Sequence, residues 1–108
     1  MSDGTFVYLW EYRVRSGADQ AFCRHYGPEG TWARLFRRGT GYLGTELLRD
    51  RAADDRYVTI DRWAGEAAFR EFRERFAREF EELDRRCAAL TRRETSLGEF
   101  GDAAGEPA

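Results

Sequence analysis

Apolar and polar positions alternate most clearly at the start of the chain. Phe6, Tyr8, Trp10, Tyr12 and Val14 share one parity, while Val7 and Leu9 occupy the other before Glu11 and Arg13 turn it polar. A period of two built from aromatic and β-branched residues predicts a strand that is apolar on both faces over much of its length. Such a strand belongs in the middle of a sheet or inside an oligomer. Ser16-Gly17-Ala18-Asp19 reads as a helix start with Ser16 as N-cap. Ala18, Ala21, Phe22 and Tyr26 supply the buried stripe, and Gly27-Pro28 ends the run. Thr31 is the expected cap of a short second piece with Trp32, Leu35 and Phe36 on its apolar face.

Residues 42–49 and 56–63 predict two further strands, joined by the charged loop 50–55 as an antiparallel hairpin. On the later strand Val58 and Ile60 oppose Tyr57, Thr59 and Trp63. The next helix is the strongest pattern in the chain: Phe69, Phe72, Phe76, Phe80, Leu83, Cys87 and Leu90 recur at spacings of 3, 4, 4, 3, 4 and 3. This predicts one continuous apolar stripe over about six turns. The pairs Arg70-Glu74, Arg75-Glu79 and Arg78-Glu82 run Arg first, the weaker orientation, and read as a solvated face. Residues 91–100 predict a fourth strand with Thr95, Leu97 and Phe100 turned inward, and residues 101–108 a disordered tail.

Strand, helix, strand, strand, helix, strand is the ferredoxin-like split βαβ order. Right-handed crossovers place both major helices on one face of a four-stranded antiparallel sheet. Residues 1–100 then make a single α+β domain, with nothing left to cover the other sheet face. Several strands are apolar on both parities, so a homodimer packed sheet against sheet is the simplest solution.

Composition narrows the chemistry. All 18 basic residues are Arg against 20 acidic ones, a net charge of −2 that gives no electrostatic reason to expect nucleic acid or a membrane as partner. No apolar run approaches the roughly 20 residues that span a bilayer. The chain has no Lys for a Schiff base, and His25 is its sole His, which excludes intrachain metal sites built on several His. Cys23 and Cys87 form no C-x-x-C pair and read as inert buried thiols. With no apolar signal segment after Met1, a reduced cytoplasmic protein is the default.

The run Phe6 to Val14 leading into a helix, then Gly41-Tyr42-Leu43-Gly44-Thr45-Glu46-Leu47, then Tyr57-Val58-Thr59-Ile60-Asp61-Arg62-Trp63 before a helix starting near Glu66-Ala67-Ala68-Phe69, resembles the antibiotic biosynthesis monooxygenase superfamily. The resemblance covers roughly residues 5–100 and implies a dimeric α+β barrel. It also implies, for several members, oxidation of small phenolic or polycyclic aromatics by molecular oxygen with no cofactor. A deprotonated electron-rich aromatic can itself reduce oxygen, so the protein supplies a dry aromatic pocket, a proton acceptor and hydrogen bonds to the enolate.

The resemblance carries over best at Trp63, where catalytic members also place a Trp; the other reading is strand-end packing. Those members use an Asn on the first strand and a His on the second major helix. This chain has no Asn, and the helix after Trp63 begins with Glu, Ala, Phe and Arg. His25, beside Tyr26, is the replacement proton acceptor, against the plainer reading of a surface histidine flanked by Arg24. Tyr26 either hydrogen-bonds a substrate carbonyl or closes the core. Trp10, Trp32, Tyr42, Phe72 and Phe76 are candidate pocket walls or ordinary core. Glu11 and Arg13, with Glu46 and Arg62, are candidates for cross-strand pairs. The expected activity is a cofactor-independent monooxygenase with no metal; the alternative is a non-catalytic dimer that binds a small aromatic metabolite.

Overall fold

Strand β1 (Phe6–Val14) lies inside the sheet, as its two apolar faces require. In the computed structural model, which describes residues 4–103, it pairs antiparallel with β3 (Arg56–Trp63) on one side and β4 (Thr91–Gly101) on the other. Strand β2 (Tyr42–Arg49) pairs antiparallel with β3, so the order across the sheet is β2-β3-β1-β4. Helices α1 (Asp19–Tyr26), α2 (Thr31–Phe36), α3 (Glu66–Arg75) and α4 (Ala77–Cys87) make the second layer, with a 3-10 turn (Ala88–Leu90) leading into β4. This is the expected ferredoxin-like α+β architecture. Residues 104–108 of the expected tail lie outside the described residues, and Gly101 is the last residue of β4.

The helix-facing parity of β1 and β3 is the core. Phe6, Tyr8, Tyr12, Val14, Tyr57 and Trp63 are buried against Phe22 and Tyr26 of α1, Leu35 and Phe36 of α2, Phe72 of α3 and Leu83 of α4. Fully burying one such side chain stabilises the fold by roughly 1.5–3 kcal/mol. Phe22 and Tyr26 stack at 4.3 Å with 13° between ring planes, and Tyr57 donates to Asp19 Oδ2 at 2.8 Å, fixing α1 over the sheet. The link from α2 to β2 turns at Gly41, whose φ of +93° favours glycine. Its carbonyl accepts from the Ala64 amide at 2.6 Å, and an added Cβ would meet Ala68 Cβ at 2.9 Å.

Several local expectations are corrected. Ser16 caps nothing: α1 has Ala18 at its N-cap, reached through a turn at Gly17. Thr31 is the first residue of α2, and Gly30 stands at the cap. The long stripe is interrupted at Phe76, whose φ of −112° and ψ of 30° separate α3 from α4. The bend lets Phe72 pack on Trp63 at 5.1 Å while Phe80 meets Trp32 at 4.9 Å. The ion pair on α3 is Glu66–Arg70 at 2.5 Å, Glu first. Cys23 is exposed, because the helix turns it away from Phe22, whereas Cys87 is buried as expected.

Thr95, Leu97 and Phe100 do not face inward; Thr95 lies opposite Glu11 on the outer parity. The β1–β4 register shifts between Leu9 and Trp10, which takes Leu97 out of the pairing and sets Phe100 opposite Val7 on the outer face. That face carries Leu9, Leu48, Val58, Ile60 and Phe100, with Leu48 and Phe100 each 50% exposed. Glu11 pairs there with Arg56, and Glu46 with Arg62 at 3.3 Å, as cross-strand pairs.

Candidate active site

Between sheet and helices lies a partly open cavity of about 200 Å³. Strands β1 and β3 give its floor through Tyr8, Trp10, Tyr12, Thr59 and Asp61, and the helices its walls through Tyr26, Trp32, Phe36 and Phe80. Thr45 joins the floor from β2, and Asp84 of α4 and Glu94 of β4 complete the lining. Alternation explains why the floor is polar in one place. Tyr57, Thr59, Asp61 and Trp63 share the inward parity of β3, so the helix layer closes over a carboxylate.

Asp61 is 6% exposed, and burial pushes its carboxyl up to about 6. Thr45, its Cα partner across the hairpin, opposes that rise by donating from Oγ1 to Asp61 Oδ1 at 2.5 Å. Because the Thr45 proton points at the carboxylate, the Tyr42 hydroxyl donates to Thr45 Oγ1, at 2.6 Å. Tyr42, Thr45 and Asp61 thus form a chain of three groups ending at the cavity. Among the described residues none donates to Asp61 Oδ2.

Two tyrosines stand beside this carboxylate. Tyr8 accepts from Trp63 Nε1 at 3.3 Å, and Tyr12 accepts from Thr59 Oγ1 at 3.5 Å. Each hydroxyl keeps its own proton for a further acceptor. Burial, with Asp61 as the next contribution at Tyr8, holds both phenols far above their ordinary range. They act as hydrogen-bond donors rather than as bases.

The residues singled out in the sequence divide. Trp10, Tyr26 and Trp32 line the cavity. Trp63 is fully buried among Phe36, Tyr42, Phe69 and Phe72 and reaches the cavity only through Tyr8. Tyr42 stands behind Thr45, and Phe72 and Phe76 are core rings outside the lining. His25 is likewise outside it: its Nδ1 meets Thr31 Oγ1 at 2.9 Å. Burial and then Arg86, Arg24 and Arg34 lower its pKa, so the ring is neutral at pH 7. Asp61, at the cavity floor, is not among the residues singled out in the sequence. Its signal was an acid on the inward parity of β3, between Thr59 and Trp63.

Trp32 Nε1 is buried facing the Tyr26 hydroxyl and the Cys87 thiol without closing a hydrogen bond to either. Among the described residues no three His, Cys, Asp or Glu side chains converge as metal ligands would, and no helix is long and apolar enough to cross a membrane.

The chain is similar to several solved structures. SnoaB, a cofactor-independent oxygenase from Streptomyces nogalater, superposes with a TM-score of 0.69 at 24% identity, over 92% of this chain and 93% of that one. A Nitrosomonas europaea protein named for the antibiotic biosynthesis monooxygenases gives 0.73 at 12% identity, over 99% and 98%. A Pseudomonas aeruginosa protein gives 0.68 at 17%, over 94% and 97%. At these identities the likeness is one of fold. No curated protein matches the chain significantly. Residues 5–77, more than half the sequence, match the antibiotic biosynthesis monooxygenase family, and the chain belongs to that family.

Proposed function

We propose that the protein is a cofactor-independent oxygenase of small electron-rich aromatics, with Asp61 as proton acceptor. The observation that carries this reading is the carboxylate itself, buried at the floor of an aromatic cavity with one oxygen unpartnered. A general base works best when its pKa lies near the operating pH, and Asp61 at about 6 meets that condition. Proton transfer from substrate to Asp61 also leaves the total charge of the cavity unchanged, so the apolar walls do not oppose it.

The chemistry follows from these positions. Asp61 takes a proton from a hydroquinone-type or anthrone-type substrate, and Tyr8 and Tyr12 donate to the enolate oxygen that forms. The carbanion reduces oxygen, and a carbon–oxygen bond forms to give a peroxide that recovers the proton from Asp61. Loss of water with the hydrogen that remains on the oxidised carbon leaves a carbonyl, so one oxygen atom enters product and the other leaves as water. Trp63 is a positioning residue here, holding Tyr8 through its indole N–H. An apolar cavity of about 150 Å³ accepts benzene. A cavity of about 200 Å³ therefore suits one or two fused rings, with any third ring at the opening.

The functional unit in this reading is a homodimer joined through the outer sheet face, where Leu9, Leu48, Val58, Ile60 and Phe100 form an apolar band.

Oxygen uptake with benzene and naphthalene hydroquinones and anthrone, in metal-stripped protein, tests the activity. Wild type is expected to exceed the buffer blank, Asp61→Asn to fall by about a hundred-fold or more, and His25→Ala to retain the rate. Loss in His25→Ala with retention in Asp61→Asn would transfer the role of base to His25. No uptake by wild type across the panel would leave a protein that binds aromatics without turning them over.

A further inference from the structure

We propose that the cavity selects aromatic ligands carrying a protonated amine and rejects those carrying a carboxylate. This rests on the cavity being the ligand site and names the class of ligand it takes. The chain holds 18 Arg, and none of them lines the cavity. Its lining instead contains three carboxylates: Asp61 on the floor, and the exposed Asp84 and Glu94. Elsewhere Arg meets acid repeatedly, at Glu11, Asp50, Asp55, Asp19, Glu46 and Glu66. Among the described residues Asp84, Glu94 and Asp61 are in no ion pair, and Glu94 accepts only from Thr91 Oγ1, at 3.0 Å.

The field of these acids reaches the cavity wall. After burial and its bond from Thr59, Tyr12 is raised by Asp61, Glu94 and Asp84 together, and Glu94 also raises Tyr26. Glu94 is the Cα partner of Tyr12 across the β1–β4 pair, and Asp61 and Asp84 share the cavity lining with both. The rings of Trp10, Trp32, Tyr12 and Tyr26 also line the cavity, and aromatic rings attract a cation. Asp61, more than nine-tenths buried with Oδ2 unpartnered, marks the inner end as a place for a ligand donor. A phenol entering ring first would point its hydroxyl at Asp61 and leave an ammonium between Asp84 and Glu94. A carboxylate in the same pose would meet like charge and no counterion.

Anaerobic calorimetry with three phenols tests this: tyramine, its neutral alkylphenol isostere and the hydroxyphenylpropanoate whose carboxyl carbon takes the place of the tyramine nitrogen. Tyramine is expected to bind about ten-fold tighter than the neutral phenol, and the propanoate weakest. The tyramine advantage should shrink at high salt, because the two outer acids are exposed. In Asp84→Asn/Glu94→Gln it should collapse while the neutral phenol binds as before. Equal or tighter binding of the propanoate, a charge preference that survives the double variant, or no binding by any of the three would overturn the proposal. The readout is binding without oxygen. A failure of charge selection therefore leaves the uptake by neutral hydroquinones, and the role of Asp61 in it, standing or falling separately.

Discussion

At the scale of the residue, Asp61 is the costly choice that the rest of the site explains. Its carboxyl titrates near 6 in the fold, above its value in the unfolded chain, because burial disfavours the charge. The folded state therefore binds the proton first as pH falls, and stability is lost as pH rises through about 6. The difference corresponds to about 3 kcal/mol. Asp61→Asn keeps an acceptor for Thr45 and removes the charge. Its stability relative to wild type should increase by about 2.4 kcal/mol between about pH 4 and about pH 8, measured by urea denaturation. A pH-independent difference would contradict the burial of an ionised carboxylate. Thr45→Val removes the one donor that opposes this rise, so the acid limb of any activity profile should move to higher pH. These effects were only partly legible in the sequence. The inward parity of Thr59 and Trp63 extends to Asp61, yet an acid on an aromatic strand reads as solvent-facing until a helix layer is known to close over it.

At the scale of the element, the alternation on β1 and β3 and the apolar stripe beginning at Phe69 were readable because each has a period that matches its own geometry. The break at Phe76 was not. No proline or glycine stands there, and backbone hydrogen bonds of 2.9 Å, from the Phe76 amide to the Phe72 carbonyl and from the Phe80 amide to the Phe76 carbonyl, continue across it. What depends on the break is tertiary: it sets Phe72 against Trp63 and Phe80 in the cavity wall. His25 lies outside the cavity lining for a related reason. A helix of eight residues ending at Tyr26 turns Tyr26 to the sheet and leaves its neighbour to meet Thr31 at the start of α2. The packing of α3 is tight beneath the link to β2. A Cβ at Gly39 would lie 2.9 Å from Phe72 Cδ1 and 3.1 Å from Trp63 Cζ3, both in the core. Gly39→Ala should therefore cost about 1–3 kcal/mol by chemical denaturation. A neutral result would mean that the two rings have more freedom than their contacts imply.

At the scale of the molecule, the fold leaves one sheet face covered by helices and the other by nothing among the described residues. The outer band of Leu9, Leu48, Val58, Ile60 and Phe100 was foreseeable from strands apolar on both parities, although Phe100 belongs to it only because of the β4 register shift. Native mass spectrometry at micromolar concentration should show a dimer, and Leu48→Glu/Phe100→Glu, two changes at half-exposed positions, should give folded monomer. A wild-type monomer would contradict the sheet-to-sheet association. The whole molecule also brings β1, β2 and β3 together at one carboxylate, and there the central claim can be measured. Oxygen uptake with a naphthalene hydroquinone, followed from about pH 4 to about pH 8 and corrected for the blank, should rise through an apparent pKa of about 6 in wild type. Asp61→Asn should lack that limb and run at least about a hundred-fold slower at pH 7. A limb of the same height and midpoint in Asp61→Asn would show that another group takes the proton.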